Sequence, residues 1–101
     1  CVYEEGMITS DEPGIYIEGS HGIRTENLIV CRKGEKNEYG QFMYFETLTC
    51  APIDLDAIDP DLLNADEKHM LNEYHRFVYD TLSPLMDAEE REWLAKYTRA
   101  I

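Results

Sequence analysis

The stretch SDEPGIYIEGSHGIRTEN, residues 10–27, is the one whose reading decides the fold. Residues 14–18 are rich in β-branched and aromatic side chains (Ile15, Tyr16, Ile17), Gly19-Ser20-His21-Gly22 is turn material, and strand character resumes at Ile23. If the turn centres on Gly19, residues placed symmetrically about it face each other, and Glu12 stands opposite Glu26. Directly opposed residues of an antiparallel pair have Cβ atoms about 4.5–5.5 Å apart, so two carboxylates there repel. Pro13 biases Glu12 toward an extended backbone, as at a strand end. Along the second strand Arg24, Glu26 and Leu28 share a face, while Ile23, Thr25 and Asn27 point the other way. This geometry asks for positive charge between the carboxylates. Arg24 can supply part of it. A pair of metal ions is the other answer, because paired carboxylates can bridge two metals about 3.5–4 Å apart that activate a water and polarise a carbonyl. The competing reading is a surface hairpin with two solvated acids, since a slip of one residue removes the juxtaposition.

Outward from this hairpin the first half reads as β and the second as α. Strand character runs over residues 23–32, a charged, glycine-flanked loop is expected at 33–40, and residues 41–50 form a strand with Phe42, Tyr44 and Leu48 at alternating positions. Asp59-Pro60 can open a short helical turn through Leu63. Asn64 followed by Glu67 looks like a capping box, and Met70, Leu71, Tyr74, Phe77, Val78 and Leu82 recur at helical spacing until Ser83-Pro84 breaks the helix. Asp87 with Glu89 and Glu90 repeats the start signal for a second helix carrying Trp93, Leu94 and Tyr97. The aromatic stripe reads as core. The fold class is α+β: an antiparallel meander of at least three strands, then a helical segment.

Composition narrows the function. The 101 residues suit one small domain or part of a larger one, and a hydrophobic fraction of 44% permits a core. The net charge is −12, with 9 acids against 4 bases in residues 1–50 and 12 against 5 in residues 51–101. With no basic half, nucleic acid and anionic membranes are poor partners. No apolar run is long enough to span a bilayer, and no signal peptide is visible. Three cysteines (Cys1, Cys31, Cys50), widely spaced and without a C-x-x-C, argue against a disulfide framework or a zinc site, and fit a reducing cytoplasm. Cys31 and Cys50 read as small buried hydrophobes. The start at Cys1-Val2 is expected to reflect a processed chain or a piece cut from a longer protein.

Gly6-Met7, Glu12-Pro13-Gly14, Tyr16 and Gly22-Ile23-Arg24-Thr25-Glu26 together resemble the C-terminal catalytic signature of the aminopeptidase P (Xaa-Pro aminopeptidase) family. These are pita-bread-fold metallopeptidases related to prolidase and methionine aminopeptidase. FETLTCAPID (45–54), LLNADEKHMLNEYHRFVYDTLSPLM (62–86) and EWLAKYTRAI (92–101) are similar to the C-terminal extension of the larger members, so the resemblance covers essentially the whole chain.

The resemblance implies a division at residue 52: residues 1–52 as the closing β portion of the catalytic domain, and 53–101 as the helical extension. It implies that Glu12 is a metal ligand, that Glu26 is the carboxylate bridging two metals, and that Arg24 orients the site from behind. The implied metals are two divalent ions, manganese first, zinc or cobalt as substitutes. The family's remaining ligands, two aspartates and a histidine, lie in earlier parts of the catalytic domain. His21 matches no ligand position, Asp11 is only a neighbour of Glu12, and His69 and His75 fall on the first helix, where His75 fits the Tyr-His pattern of the extension. None of the histidines is assigned to catalysis. The implied substrates are peptides with proline at the second position, and the implied assembly is a homodimer. With two ligands of five, the chain alone is expected to be inactive and to bind metal weakly or not at all. The competing function is a non-catalytic acidic module for dimerisation or interaction.

Overall fold

The computed structural model describes residues 2–101; Cys1, counted above among the thiols, lies outside the described residues. Five strands come first: β1 (Ile8–Asp11), β2 (Gly14–Ile17), β3 (His21–Arg24), β4 (Asn27–Asn37) and β5 (Gly40–Thr47). Two helices follow, α1 (Ala65–Leu82) and α2 (Ala88–Tyr97), with 3-10 turns at Leu55–Ala57, Pro60–Leu62 and Ser83–Leu85. The chain divides into two compact units, the first ending at Thr49 and the second Cys50–Ile101. The α+β class and the antiparallel pairing agree with the expectation.

In the first unit β2 pairs with β3, and β1–β4–β5 form a second antiparallel sheet. The registers explain the arrangement. Gly14 pairs with Arg24 and Ile17 with His21, while Ile8 pairs with Val30 and Asp11 with Asn27, so partner numbers add to 38 in both ladders. The two pairs are therefore one ribbon, folded back at Gly19, whose φ of +72° suits glycine. The ribbon is interrupted once. Thr25 N–H still reaches Pro13 O at 3.1 Å, which leaves Glu12 and Glu26 in the gap between the ladders. The single strand expected over 23–32 is thus two strands, and β1 is an additional one.

The expected loop at 33–40 is also strand. Asn37 pairs with Gly40, leaving a two-residue turn, and a bulge between Lys33 and Lys36 absorbs the irregularity. Polar side chains did not stop the ladder, because both faces of this hairpin meet water. Asn37 Oδ1 accepts from Tyr39 N–H at 2.9 Å and closes the turn. The buried apolar residues of this unit are Val30 and Cys31, at the centre of β4.

In the second unit the helix starts are set locally. Asn64 Oδ1 accepts from Glu67 N–H at 2.8 Å, and Asp87 and Glu90 form a reciprocal capping box. Leu55, Val78 and Leu94 are buried. Trp93, expected in the core, is 55% exposed. The short α2 buries the stripe at Leu94, and a side chain one position away points about 100° off that stripe. Cys50, expected to be buried, is half-buried.

α1 fastens the segments around it. Tyr74 hydroxyl donates to Ala51 O at 2.8 Å, and Ile53 N–H donates to His75 Nε2 at 3.0 Å. Asn72 grips the backbone of Ile101 at both ends, donating to its carbonyl at 3.1 Å and accepting from its N–H at 2.9 Å. His75 is completely buried. Because Nε2 accepts, Nδ1 carries the proton of the neutral ring. Burial pushes the His75 pKa down, and the Arg99 backbone offsets part of that.

Candidate metal centre

The interruption of the ribbon places Glu12 and Glu26 side by side at a point where the backbone ladder lapses. Pro13 follows Glu12 and has no N–H to give to the ladder. The two carboxylates converge on one guanidinium. Arg24 Nε lies 3.1 Å from Glu26 Oε2, as a hydrogen bond, and 4.0 Å from Glu12 Oε2. The two oxygens are therefore no farther apart than those two distances laid end to end. All three side chains are roughly half exposed, so the cluster is open to solvent. Arg24 thus supplies part of the positive charge that the opposed carboxylates require.

Tyr16 completes the cluster. It shares the ribbon face with Glu12, Gly14, Gly22, Arg24 and Glu26, by alternation and by the register. Its ring lies close over the two glycines. A Cβ at Gly22 would sit 2.8 Å from Tyr16 Cδ1, and one at Gly14 would sit 2.8 Å from the Tyr16 hydroxyl and 3.0 Å from Ile23 O. Only hydrogen fits beneath the ring at either position. Hydrogen bonding with the Tyr16 side chain, and next the charge of Glu26, raise the Arg24 pKa above its ordinary value, so the guanidinium stays charged throughout the physiological range. Tyr16 therefore shares the carboxylate face with Arg24 and adds to what keeps the guanidinium charged. The sequence signal for this was an aromatic with glycine two residues before it and glycine opposite it in the register.

The other ribbon face carries Ile15, Ile17 and Ile23, all at least half exposed. His21 hydrogen-bonds Ser20 at 2.8 Å in the turn, away from the carboxylates, and His69 and His75 belong to α1 in the second unit.

Two carboxylates are hard oxygen donors of the kind that suits manganese and similar divalent ions. They form less than half of a coordination shell, and among the described residues no group of three or more His, Cys, Asp or Glu side chains could hold a metal. The donor chemistry fits a metal pair, whereas the donor count requires ligands from elsewhere. Among the described residues, no helix is long and apolar enough to cross a membrane.

Comparison with known proteins bears on both units. A family model described as the C-terminal region of peptidase M24 matches residues 41–101. A probable Xaa-Pro aminopeptidase P of Coprinopsis cinerea is 39% identical over 101 residues, covering 95% of this chain and 16% of the relative. An aminopeptidase P1 of Lotus japonicus is 40% identical over 102 residues, covering 97% and 16%. Among solved structures, the X-prolyl aminopeptidase of Caenorhabditis elegans, described as a cytosolic enzyme with a di-nuclear active site, superposes with a TM-score of 0.79 at 28% identity. That likeness covers 98% of this chain and 17% of the other. The chain spans about a sixth of the length of the relatives it matches.

Proposed function

The chain belongs to the peptidase M24 C-terminal family, and from that premise we propose that it is the carboxyl-terminal part of a dinuclear-metal aminopeptidase that cleaves the bond before a proline at the second position of a peptide. The observation that carries this reading is the convergence of Glu12 and Glu26 on Arg24, in the gap of an otherwise continuous ribbon. It is supported by the Xaa-Pro aminopeptidase relatives and by the di-nuclear site of the nematode enzyme.

In this reading Glu12 and Glu26 would hold the metal pair through their carboxylate oxygens, Glu26 in the bridging role that the resemblance implies. When bound, such a pair activates water and polarises the scissile carbonyl. The chain's own contribution is positional. Arg24 keeps both carboxylates turned to one point, as groups behind metal ligands commonly do. Manganese is the favoured ion, with zinc or cobalt able to use the same oxygens.

Residues 1–52 close the catalytic domain and residues 53–101 extend it; the division of the compact units after Thr49 lies within a few residues of that boundary. The working enzyme is a cytoplasmic homodimer. The free thiols Cys31 and Cys50 and the cytosolic character of the nematode enzyme support the compartment, and the exposed apolar faces support association.

Glu12 and Glu26 alone leave most of a metal's shell to water, so binding is weak and the isolated chain is inactive. An Xaa-Pro dipeptide assay with added manganese tests this directly. No turnover is expected from the chain alone, and turnover would show that it holds a complete site. In the longer enzyme, Glu26→Gln should abolish activity and lower the metal content from two ions per chain. Full activity and full metal in that variant would remove Glu26 from the site.

A further inference from the structure

The second unit holds a cavity of about 330 Å³ lined by Pro52, Ile53, Asp54, Asp56, Trp93 and Tyr97, at the lower end of the sizes that accept small ligands. One wall is aromatic. Trp93 and Tyr97 stand one helical turn apart on α2 with ring centroids 4.8 Å apart, and Trp93 keeps more than half of its surface in solvent. The rest of the lining includes the two carboxylates Asp54 and Asp56 and is held by the surrounding chain. Ile53 is held by His75, Leu55 is buried, and one Asp54 oxygen accepts from Asp56 N–H at 3.0 Å, which sets the direction of that carboxylate.

An aromatic pair and two carboxylates lining one cavity select for charge. An anion is repelled, and an apolar guest would strip water from Asp54 and Asp56 without replacing their hydrogen bonds. A cation satisfies both kinds of group, stacking on the rings and pairing with the acids. A guanidinium does so better than an ammonium, because its planar face stacks while its edge donates to carboxylates. The chain's own cations show that each kind works this way. Lys96 Nζ lies 5.6 Å from the Tyr97 ring centroid, and Arg99 Nη2 lies 3.9 Å from Asp56 Oδ1. Neither side chain is among those lining the cavity, and the Arg99–Asp56 contact joins two exposed side chains, a pairing that competes weakly with a seated ligand. The surplus of acids in residues 51–101, 12 against 5 bases, draws cations toward this unit.

We propose that this cavity is a docking pocket for an arginine side chain of a partner polypeptide, with the guanidinium laid on the Trp93–Tyr97 wall and paired with Asp54 and Asp56. The pocket uses none of the metal-site residues, so the proposal stands apart from the peptidase reading.

Trp93 is the single tryptophan of the chain, so its fluorescence reports on this wall alone. Titration with N-acetyl-arginine amide should give a saturable change, with a midpoint at least about tenfold below that for N-acetyl-citrulline amide, the neutral isostere. Asp54→Asn, which retains the capping oxygen, and Asp56→Asn should each raise the arginine midpoint severalfold, with circular dichroism confirming intact helices. An absent response, an equal response to citrulline, or folded Asn variants with undiminished arginine affinity would overturn the proposal. The comparison of the two probes on the unaltered chain decides the question even if a variant fails to fold.

Discussion

Tyr16 gives the hairpin glycines their reason. Its ring covers Gly14 and Gly22 on the face that carries Arg24 and the two carboxylates. Gly22→Ala puts a methyl where the ring edge lies, so the ring must shift on the face it shares with Glu12, Arg24 and Glu26. On the proposed function, kcat of the longer enzyme should then fall about 10–100-fold with KM nearly unchanged, the usual scale for disturbing a group behind a metal ligand; steady-state kinetics on an Xaa-Pro peptide measures the split. His75 lends itself to a pH test. Burial lowers its pKa from 6.5, so on acidification the unfolded chain takes the proton first. Its contribution to stability is therefore complete above pH 6.5 and is lost as the pH falls through the window below that value. Urea unfolding across roughly pH 5 to 7.5 should show stability declining toward acid, and His75→Phe should remove that part of the decline. The variant should also be less stable by about 1–3 kcal/mol at neutral pH, because Ile53 N–H is left without its acceptor.

Among the elements, the helix starts depend on their caps. The box at Asp87 and Glu90 is reciprocal, and α2 buries little beyond Leu94 to compensate for its loss. Asp87→Ala should lower unfolding stability by about 1 kcal/mol, and Asp87→Ser should restore most of it; thermal denaturation followed at the helix signal checks both. These starts were legible in the sequence because a cap is settled within four residues. The β4–β5 hairpin was not. Lysines, glutamates and a glycine at residues 33–40 carry the composition of a loop, yet backbone pairing tolerates any side chain that water can reach, and the bulge between Lys33 and Lys36 takes up the mismatch. The gap at Glu12 and Glu26 was half legible. The symmetric spacing about Gly19 fixed the register, but the lapse of the ladder there depends on both pairs of strands, and β1 shows no strand signal in the sequence alone.

For the molecule as a whole, charge and exposed apolar surface pull in opposite directions. A net charge of −12 keeps copies apart. The sheets oppose this. Leu28, Phe42, Tyr44 and Phe45 remain 43–53% exposed, β1 and β5 are edge strands, and Ile15 and Ile23 expose the apolar face of the ribbon. Surfaces of this kind are completed by other protein. The chain should therefore associate as concentration rises, more strongly in high salt, where the repulsion is screened. Light scattering over a concentration series at two ionic strengths measures this, and a monomer throughout would mean that the charge prevails.

The sequence by itself determined what is local or periodic: the turn at Gly19, the pairing of positions about it, both helix starts, the α+β order and the identities of Glu12, Arg24 and Glu26. Tertiary structure alone decided which side chains meet. It laid Tyr16 over two glycines, drew both carboxylates to one guanidinium, buried His75 against the backbone of Ile53 and left Trp93 at the rim of a cavity. Local propensities read a few neighbouring residues at a time, whereas burial and ion pairing depend on residues far apart in the chain that only the closed ladders and packed helices bring together.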